Sequence, residues 1–425
     1  MTWIEPLDYI AALTESGSVD LSHLVFLYSA IRTSYSGRYS YIAYDPVETI
    51  QSQDFEALRG KLSNRGERFG NGWFGYLGYG LKECLEQVAH DTPGWYKLPN
   101  LTMTRFANVI RFDHDKKIIE LCAGKYPDAV YDKKSANESL PSAVSLSSNM
   151  TKASYLEKVA AIRERINEGE FYQANLTRKF IGNFNGLIDP LALYRKLCTA
   201  SPAAYSAFLK IGDTYILSSS PELFLAVDEA SNIRTRPVKG TSPRFADSQR
   251  DHESLEKLAT SAKDRAENLM IVDLMRNDLS RSCIPGSVIT EKLFEITSHA
   301  NVHHMSSTIT GKIDANHSTL DAIALCFPPG SMTGAPKIRA MNVCSEFEGV
   351  ERGIYSGAIG WLGGDGACEL SVVIRTLIIR GNQFEFQVGG AITADSDPEQ
   401  EWQETIDKAK GIALALGLKT EDLLF

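Results

Sequence analysis

One lysine of this chain stands in a segment that could aim its amine at a substrate. Lys239 lies in the run Arg236-Pro237-Val238-Lys239-Gly240-Thr241, where proline and glycine can hold the side chain on a stiff backbone. A lysine amine is a good nucleophile only when its pKa falls from about 10.4 towards neutrality, which costs roughly 3–4 kcal/mol. Burial or a nearby cation must supply that shift. Taken alone, the segment is more typical of a solvated turn lysine.

Two segments carry carboxylates at helical spacing. Glu401, Glu404 and Lys408 stand at positions i, i+3 and i+7, and Asp264 and Glu267 are also three residues apart. Mg²⁺ prefers oxygen ligands and keeps several waters, so one or two carboxylates are enough to bind it. The spacing is therefore compatible with a magnesium site between two helices, although it favours solvated helix faces with salt bridges.

A third group of residues could bind an anion. Residues 329–337 form a glycine-, serine- and threonine-rich loop before a predicted helix, and free N–H groups there could bind a carboxylate or a phosphate. Gly389 and Gly390 end a predicted strand and would let a ligand approach the backbone. Arg375 lies in an otherwise apolar predicted strand, so it needs an anionic partner, either a ligand or an internal salt bridge.

Other catalytic motifs are missing from the sequence. His304 belongs to the pair His303-His304, but no third zinc ligand stands at a familiar spacing. The Gly-x-Ser-x-Gly motif and a Gly-x-Gly-x-x-Gly motif after a strand are absent, which argues against a serine hydrolase and a dinucleotide enzyme. The 7 cysteines are widely spaced without a Cys-x-x-Cys pair, a pattern typical of reduced thiols.

The composition is that of a soluble globular protein, with 43% hydrophobic and 23% charged residues. The formal net charge is -9 and no basic block is present, which argues against a nucleic-acid partner. No apolar run reaches the roughly 18 residues of a membrane span, and the N-terminal residues do not resemble a signal peptide. We therefore expect a cytoplasmic protein without a membrane partner.

Local patterns predict strand hairpins mixed with helices, without regular βαβ alternation. We expect strands in residues 1–131, a serine-rich exposed connector at 132–150, and the catalytic part at 151–425. A long helix is predicted at about 253–274, and residues 371–379 and 383–392 are predicted to form a hairpin around Gly381-Asn382. Asp397-Pro398 is expected to open a further helix. This mixture favours an α+β fold with antiparallel sheets.

Taken together, the segments of the catalytic part resemble the chorismate-utilising enzymes. The matching segments occur in order along most of residues 151–425. They are Tyr172-Gln173-Ala174-Asn175-Leu176-Thr177, Ser220-Pro221-Glu222-Leu223-Phe224, the Lys239 run, Lys263-Asp264-Arg265-Ala266-Glu267-Asn268-Leu269-Met270, Asp273-Leu274-Met275-Arg276-Asn277-Asp278, Gly334-Ala335-Pro336-Lys337, Arg352-Gly353-Ile354-Tyr355-Ser356-Gly357-Ala358-Ile359-Gly360 and Ala394-Asp395-Ser396-Asp397-Pro398-Glu399. The resemblance implies two antiparallel sheets packed face to face with helices outside, and strands contributed by the N-terminal third.

The resemblance also implies roles for site residues. Glu267 and Glu404 would hold Mg²⁺, with Glu401 and Asp264 nearby. Glu222 would be the general acid that protonates the departing hydroxyl of chorismate, and His304 would line the pocket near its ring. The substrate would be bound by Arg375, Tyr355, Lys408, Gly240, Thr241, Thr333, Gly389 and Gly390.

Two positions indicate which chorismate chemistry is expected. Relatives that add water carry a lysine base where this chain has Gln173, so ammonia is the expected nucleophile. Relatives that form anthranilate carry alanine at the position of Lys239, whereas those that form 4-amino-4-deoxychorismate carry the Pro-x-Lys-Gly-Thr form. There the lysine attacks C2, and ammonia then adds at C4. The product leads to para-aminobenzoate and folate.

The resemblance further implies a separate glutamine amidotransferase subunit that delivers ammonia, because no amidotransferase nucleophile motif surrounds the cysteines. An anthranilate-forming enzyme is the nearest alternative, with Lys239 then playing no covalent role. Gln173 argues against an isochorismate or salicylate synthase. A non-catalytic scaffold that binds an amidotransferase is the alternative from another class, and the complete set of expected catalytic residues argues against it.

Overall fold

A computed structural model describes residues 3–17, 20, 22–33, 35–62, 66–94, 97–127, 143–299 and 302–425. The strands are β1 His23–Tyr28, β2 Tyr39–Ser52, β3 Trp73–Leu77, β4 Leu101–Asp113, β5 Ile118–Ala123, β6 Ala143–Ser148, β7 Gln173–Phe184, β8 Tyr205–Ile211, β9 Thr214–Ser220, β10 Leu223–Val227, β11 Asn232–Arg236, β12 Val238–Pro243, β13 Ile289–Ser298, β14 Val302–Lys312, β15 Gly334–Ala335, β16 Ala358–Leu362, β17 Cys368–Val372, β18 Thr376–Arg380 and β19 Gln383–Ile392. The helices are α1 Pro6–Ser16, α2 Glu56–Leu62, α3 Lys82–Leu85, α4 Lys152–Asn167, α5 Pro190–Ala200, α6 Ser248–Thr260, α7 Ala262–Ser280, α8 Thr319–Cys326, α9 Lys337–Glu348 and α10 Pro398–Ala415.

Side-chain alternation along β2 shows how the sheets are layered. Tyr41 and Ala43 point into a central hydrophobic core that is shared between strands. Ile42 and Tyr44 point the opposite way, into a second core that also receives side chains from α1, α4, α5, α9 and α10. Because successive strand residues face opposite sides, β2 separates a helix-covered core from an inner one.

Strand β3 has the same alternation in the other layer. Phe74 and Tyr76 contribute to the central core, whereas Trp73 and Leu77 face a third core that includes side chains of α2, α7 and α8. Two layers of strands thus pack face to face, with helices on both outer surfaces. The predicted α+β sandwich is confirmed, and the strand pairings are antiparallel.

The long strand β4 runs through both layers. Met103 packs in the core beneath α7 and α8, Phe106 in the central core, and Ile110 and Phe112 in the core beneath α1 and α10. Strand β2 follows it over its whole length. Hydrogen bonding therefore joins the strands of both layers into one continuous 19-stranded network.

Strands of the N-terminal third complete both layers. β1 pairs with β8, and β3 pairs with β16, so the two predicted parts of the chain interleave. Residues 132–142 of the predicted connector lie outside the described residues. Residues 143–148 form strand β6 and pair with β7, so this part is not the exposed loop that the sequence predicted. No helix in the described ranges is long and apolar enough to span a bilayer.

Two local predictions need correction. The helix expected at 253–274 is two helices, α6 and α7, because Ser261 takes an extended conformation and its hydroxyl accepts a hydrogen bond from the Asp264 N–H. Arg375 lies in the connection between β17 and β18 with φ of 50°, so it is not a strand residue. The hairpin across Gly381-Asn382 is confirmed, as is helix α10, which Asp397 caps by accepting from the Gln400 N–H.

A partly buried lysine anchors the loop before α9. The Lys337 ammonium donates to Asp278 Oδ2 at 2.6 Å, to the Cys326 carbonyl at 2.8 Å and to the Pro328 carbonyl at 3.0 Å. The Asp278 side chain is 4% exposed, and burial raises its pKa even though Lys337 counteracts that shift. The loop at 329–337 is thus held against α7, which also carries Glu267.

Replacing Lys337 with methionine should lower the free energy of unfolding by roughly 3–5 kcal/mol at neutral pH, since Asp278 would stay buried without its cation. Chemical denaturation followed by circular dichroism measures this loss. Lys410→Met is the control, because Lys410 and Asp407 form an ion pair whose side chains are 53% and 52% exposed; it should cost about 0–1 kcal/mol. Equal losses in the two variants would contradict the expectation.

Candidate active site

Lys239 stands in a bulge of strand β12 and not in a free turn. The pairing of β12 with β14 shifts register between Val238 and Thr241, so Lys239 and Gly240 bulge out of the ladder. Gly240 has φ of +90°, and a Cβ there would lie 3.0 Å from Asp264 Oδ1, which makes glycine necessary. The bulge aims the Lys239 side chain towards α7 and α10.

Burial lowers the pKa of the Lys239 amine. The Glu267 carboxylate counteracts this shift most strongly, the Lys408 ammonium lowers the pKa further, and Glu222 and Glu404 raise it by smaller amounts. The amine therefore has a desolvated environment with a cation and carboxylates around it, as a nucleophilic lysine requires. The interpretation of Lys239 as a solvated turn residue does not fit this environment.

Glu222 lies directly before β10, with 4% of its surface exposed. Burial raises the pKa of its carboxyl to about 7, although Ser331, Lys239, the Val238 N–H and Lys408 counteract the shift. A large fraction of Glu222 therefore carries a proton at neutral pH, beside the Lys239 amine. This is the state that a general acid requires.

Helices α7 and α10 bring three carboxylates together near Lys239. Burial raises the pKa of Glu267, which Lys239 and Lys263 counteract and Glu404 and Glu401 reinforce. Burial also raises the pKa of Glu401, and Glu404 raises it further. Burial also acts on Glu404, but the Lys408 ammonium at 2.6 Å outweighs it and lowers the pKa of Glu404. Lys408 donates in addition to the Gly389 carbonyl at 2.7 Å. The side chains of Lys408 and Glu404 are 43% and 41% exposed, so this side of the site is open to solvent.

One oxygen of this group has no partner among the described residues. Glu401 Oε1 accepts from Ser396 at 2.7 Å and from Lys263 at 3.2 Å, whereas its buried Oε2 accepts from no described donor. A Cβ on Gly390 would lie 2.9 Å from that oxygen and 3.5 Å from Glu404 Oε1. The absence of a side chain at Gly390 leaves room beside both carboxylates for a small ligand.

These residues fit a divalent cation. Mutually repelling carboxylates, an unpartnered buried oxygen and the open space at Gly390 are the features that a hard cation uses. No group of three histidine, cysteine or acidic side chains in the described part of the chain is assembled as a ready-made metal site. A bound ion would therefore share the carboxylates with water and substrate, as Mg²⁺ commonly does.

Arg375 is a cation that makes no ion pair with a described residue. Its side chain also makes no hydrogen bond to the described part of the chain, which favours a ligand over an internal salt bridge as its anionic partner. Burial lowers the pKa of its guanidinium, and Glu222 counteracts this. A partly buried guanidinium in such surroundings is suited to an anionic ligand.

His304 lies near Arg375 and is not a zinc ligand in this arrangement. Burial lowers the pKa of His304 well below its usual range, and Arg375 lowers it further, so the ring is neutral. Its Nε2 has no hydrogen-bond partner among the residues that the structure describes. The neighbouring His303 is engaged by Ser298 at 2.7 Å and Asp251 at 3.2 Å. The histidine pair therefore divides into one structural ring and one ring available to a ligand.

The chain is similar to known proteins in both sequence and structure. The sequence model of a family described as chorismate binding enzyme matches residues 22–414. The chain belongs to the chorismate-binding enzyme family. It is 39% identical over 375 residues to aminodeoxychorismate synthase component 1 of Salmonella typhimurium, covering 87% of this chain and 82% of that protein. It is 33% identical over 418 residues to anthranilate synthase component 1 of Streptomyces coelicolor, covering 89% of this chain and 81% of that one.

The similarity extends from the sequence to the three-dimensional fold. The crystal structure of anthranilate synthase component I from Streptococcus pneumoniae superposes with a TM-score of 0.77 at 26% identity, covering 91% of this chain and 94% of that one. The resemblance to chorismate-utilising enzymes that the motifs predicted is confirmed.

The remaining predicted residues of this chorismate-binding enzyme lie in different surroundings. Gln173 is fully buried, and neither polar atom of its amide has a partner in the described part of the chain, so both are available to a ligand. Tyr355 is also buried, and burial raises the pKa of its phenol. The Thr333 hydroxyl donates to the Gly330 carbonyl at 3.2 Å, which commits it to the loop. Thr241 is exposed and, with Asp264, lines a cavity of about 410 Å³.

Sequence reasoning missed several polar residues of the site. Lys263 contacts Glu401 and lies 3.9 Å from Glu267, and Ser396 also donates to Glu401. Ser331 acts on Glu222. Lys263 and Ser396 lie inside the quoted family segments, but helical spacing alone does not show that they face the acidic group of another helix. Asp264 lies against Gly240, whereas the charged neighbours of Glu267 are Lys239, Lys263, Glu404 and Glu401.

Proposed function

We propose that this chain converts chorismate and ammonia into 4-amino-4-deoxychorismate through a covalent bond to Lys239. The observation that carries the proposal is the desolvated Lys239 amine, whose pKa is lowered by burial and which lies among Glu222, Glu267 and Lys408. The similarity to aminodeoxychorismate synthase component 1 supports the same product.

In the first step the Lys239 amine attacks C2 of chorismate. The ring double bond shifts, the C4–oxygen bond breaks, and the proton of Glu222 leaves with the hydroxyl as water. In the second step ammonia forms a bond to C4, the double bond returns, and the C2–nitrogen bond breaks to release the Lys239 amine. The Glu222 carboxylate takes the extra proton from the new ammonium group, which restores both side chains.

The substrate carboxylates would be bound by the cations that face the site. Arg375 forms no ion pair with a described carboxylate, and the Lys408 ammonium lies at the open side of the site next to Gly389. Glu267, Glu401 and Glu404 would hold Mg²⁺, with Asp264 nearby. The contribution of the bound ion would be to neutralise the ring carboxylate and polarise the conjugated diene.

Ammonia is the expected nucleophile because the buried Gln173 amide cannot deprotonate water. We propose that a separate glutamine amidotransferase subunit supplies it, in keeping with the term component 1 in the names of the relatives. The product would serve para-aminobenzoate and folate synthesis in the cytoplasm.

The test is to incubate the protein with chorismate, ammonium chloride and MgCl₂ and to identify the product by mass spectrometry. We expect 4-amino-4-deoxychorismate, which an added aminodeoxychorismate lyase converts into para-aminobenzoate. Fluorescent anthranilate formed without the lyase would instead establish the alternative that the similarity to anthranilate synthases supports. Tight binding of chorismate without turnover would indicate a non-catalytic scaffold.

Gly390→Ala should weaken Mg²⁺ binding by about 10–100-fold, since the new methyl group would displace Glu401 from the cation position. Isothermal titration calorimetry with Mg²⁺ and the electron paramagnetic resonance signal of Mn²⁺ measure this without an activity assay. Gly60→Ala is the matched control, because a Cβ there has no neighbour within 4 Å. Unchanged affinity in Gly390→Ala would show that these carboxylates do not hold the metal.

A further inference from the structure

Arg352 belongs to the Arg352-Gly353-Ile354-Tyr355 segment and has no part in the proposed reaction, yet it is 1% exposed and fully engaged. Its guanidinium binds both carboxylate oxygens of one residue and the oxygen atoms of three separate segments. The contacts are Glu348 Oε1 at 2.6 Å, Glu348 Oε2 at 2.9 Å, the Met332 carbonyl at 2.7 Å, the Asn175 carbonyl at 2.7 Å and the Ser356 hydroxyl at 3.2 Å.

Three of these contacts, those to Asn175, Met332 and Ser356, lie within two residues of a candidate-site residue in the chain. Asn175 lies on β7 two residues after Gln173, so their side chains share one face of the strand. Met332 directly precedes Thr333 in the loop before α9, and Ser356 follows Tyr355. Arg352 thus links strand β7, which carries Gln173, to the glycine-rich loop before α9 and to the Tyr355 segment.

The carboxylate of Glu348 and the Arg352 carbonyl extend this linkage. Glu348 Oε1 accepts a hydrogen bond from the Thr177 N–H at 2.9 Å, which fixes a second point of β7. The Arg352 carbonyl accepts from the Gln387 amide at 2.9 Å, on β19 two residues before Gly389. The Tyr79 ring lies 4.6 Å from the guanidinium and connects the N-terminal third to the same point.

Buried ion pairs often contribute little net stability, because desolvation offsets their attraction. This pair uses the planar fork of arginine, whose donors reach a carboxylate and two carbonyls simultaneously. A lysine would keep the charge but could not make this set of contacts. The geometry therefore serves alignment of the segments more than stability alone.

We propose that Arg352 and Glu348 are positioning residues. They hold β7, which carries Gln173, against the loop before α9, which carries Thr333, and thereby align the reactants over Lys239. The alignment of ammonia depends on the proposed function, whereas the alignment of chorismate does not. Misplacement of reacting groups by about 1 Å can reduce turnover by about 10²-fold.

The test is steady-state kinetics of Arg352→Lys, with chorismate and ammonium varied separately and product formation normalised to folded protein. We expect kcat to fall by about 10–100-fold with a smaller change in the chorismate KM. Glu348→Gln keeps the side-chain shape and should lower kcat in the same direction. The assay measures both the loss of chorismate and the identity of the product. A wild-type protein that makes anthranilate would therefore refute the proposed function. The kcat values of the variants and the wild type could still be compared through the loss of chorismate.

Lys179→Arg is the matched control, because Lys179 on β7 and Glu385 on β19 form another buried ion pair, at 3.3 Å with both side chains 3% exposed. It should shift the melting temperature by a similar amount while keeping kcat within about twofold. The positioning role is refuted if Arg352→Lys and Glu348→Gln keep wild-type kcat per folded molecule, or if Lys179→Arg loses as much kcat as they do.

Discussion

Replacing Lys239 with alanine should reduce product formation by at least about 10³-fold, because the covalent route loses its only nucleophile. Wild-type protein incubated with chorismate and no ammonia should gain the mass of chorismate less water on the Lys239 peptide, as measured by intact and peptide mass spectrometry. The alanine variant should gain nothing. Its affinity for Mg²⁺ should remain, since Glu267, Glu401 and Glu404 would be unchanged.

Lys410→Ala provides the comparison, because Lys410 lies on the exposed side of α10 and should keep full activity and the adduct on Lys239. Wild-type turnover by Lys239→Ala would refute the covalent mechanism. Production of anthranilate by the wild type and by Lys239→Ala at equal rates would show that the protein is an anthranilate-forming enzyme in which Lys239 has no covalent role.

Glu222→Gln should lower kcat by about 10²–10⁴-fold, because glutamine cannot give a proton to the departing hydroxyl. The pKa of about 7 predicts the pH dependence of the wild type. Activity should decline as the pH rises through about 7 and Glu222 loses its proton, and it should also decline at low pH as the Lys239 amine becomes protonated. The variant should lose the alkaline decline, which a pH–rate profile measures.

Although Glu222→Gln should lower kcat, it should raise the stability of the folded protein at alkaline pH. The folded-state pKa of Glu222 is raised above its usual 4.5, so protonated Glu222 favours the fold at low pH and this contribution is lost as pH rises through about 7. Glu222→Gln removes the buried charge and should stabilise the protein by up to about 3 kcal/mol at pH 8.5, but not at pH 4. Equal denaturation midpoints of the two proteins at pH 8.5 would contradict the burial of this group.

Local periodicity was sufficient for some parts of the site and not for others. The spacing of Glu401, Glu404 and Lys408 predicted a common face of α10, because helical geometry depends only on neighbouring residues. The bulge at Lys239 could not be predicted, since it arises from the register between β12 and the distant β14. The break at Ser261 was missed because the apolar pattern continues across it, although serine is a common N-cap.

The fold, too, could be predicted from local sequence patterns only in part. The hairpin of β18 and β19 has a local turn signal, so the sequence predicted it. The two-layer sandwich came from family resemblance, because strand alternation shows that a strand has two faces without showing which layer each face meets. The passage of β4 through both layers leaves most of its residues buried, which obscures the alternation that would identify such a strand.

The pairing of β3 with β16 has a consequence for synthesis on the ribosome. Trp73 pairs with Leu362, so β3 cannot pair with β16 until nearly three hundred further residues have been synthesised. At about 5–20 residues per second this delay lasts roughly 15–60 s. During that time the nascent segment carries unpaired strand edges and apolar surface, so its yield in cells should depend on chaperones and on translation speed.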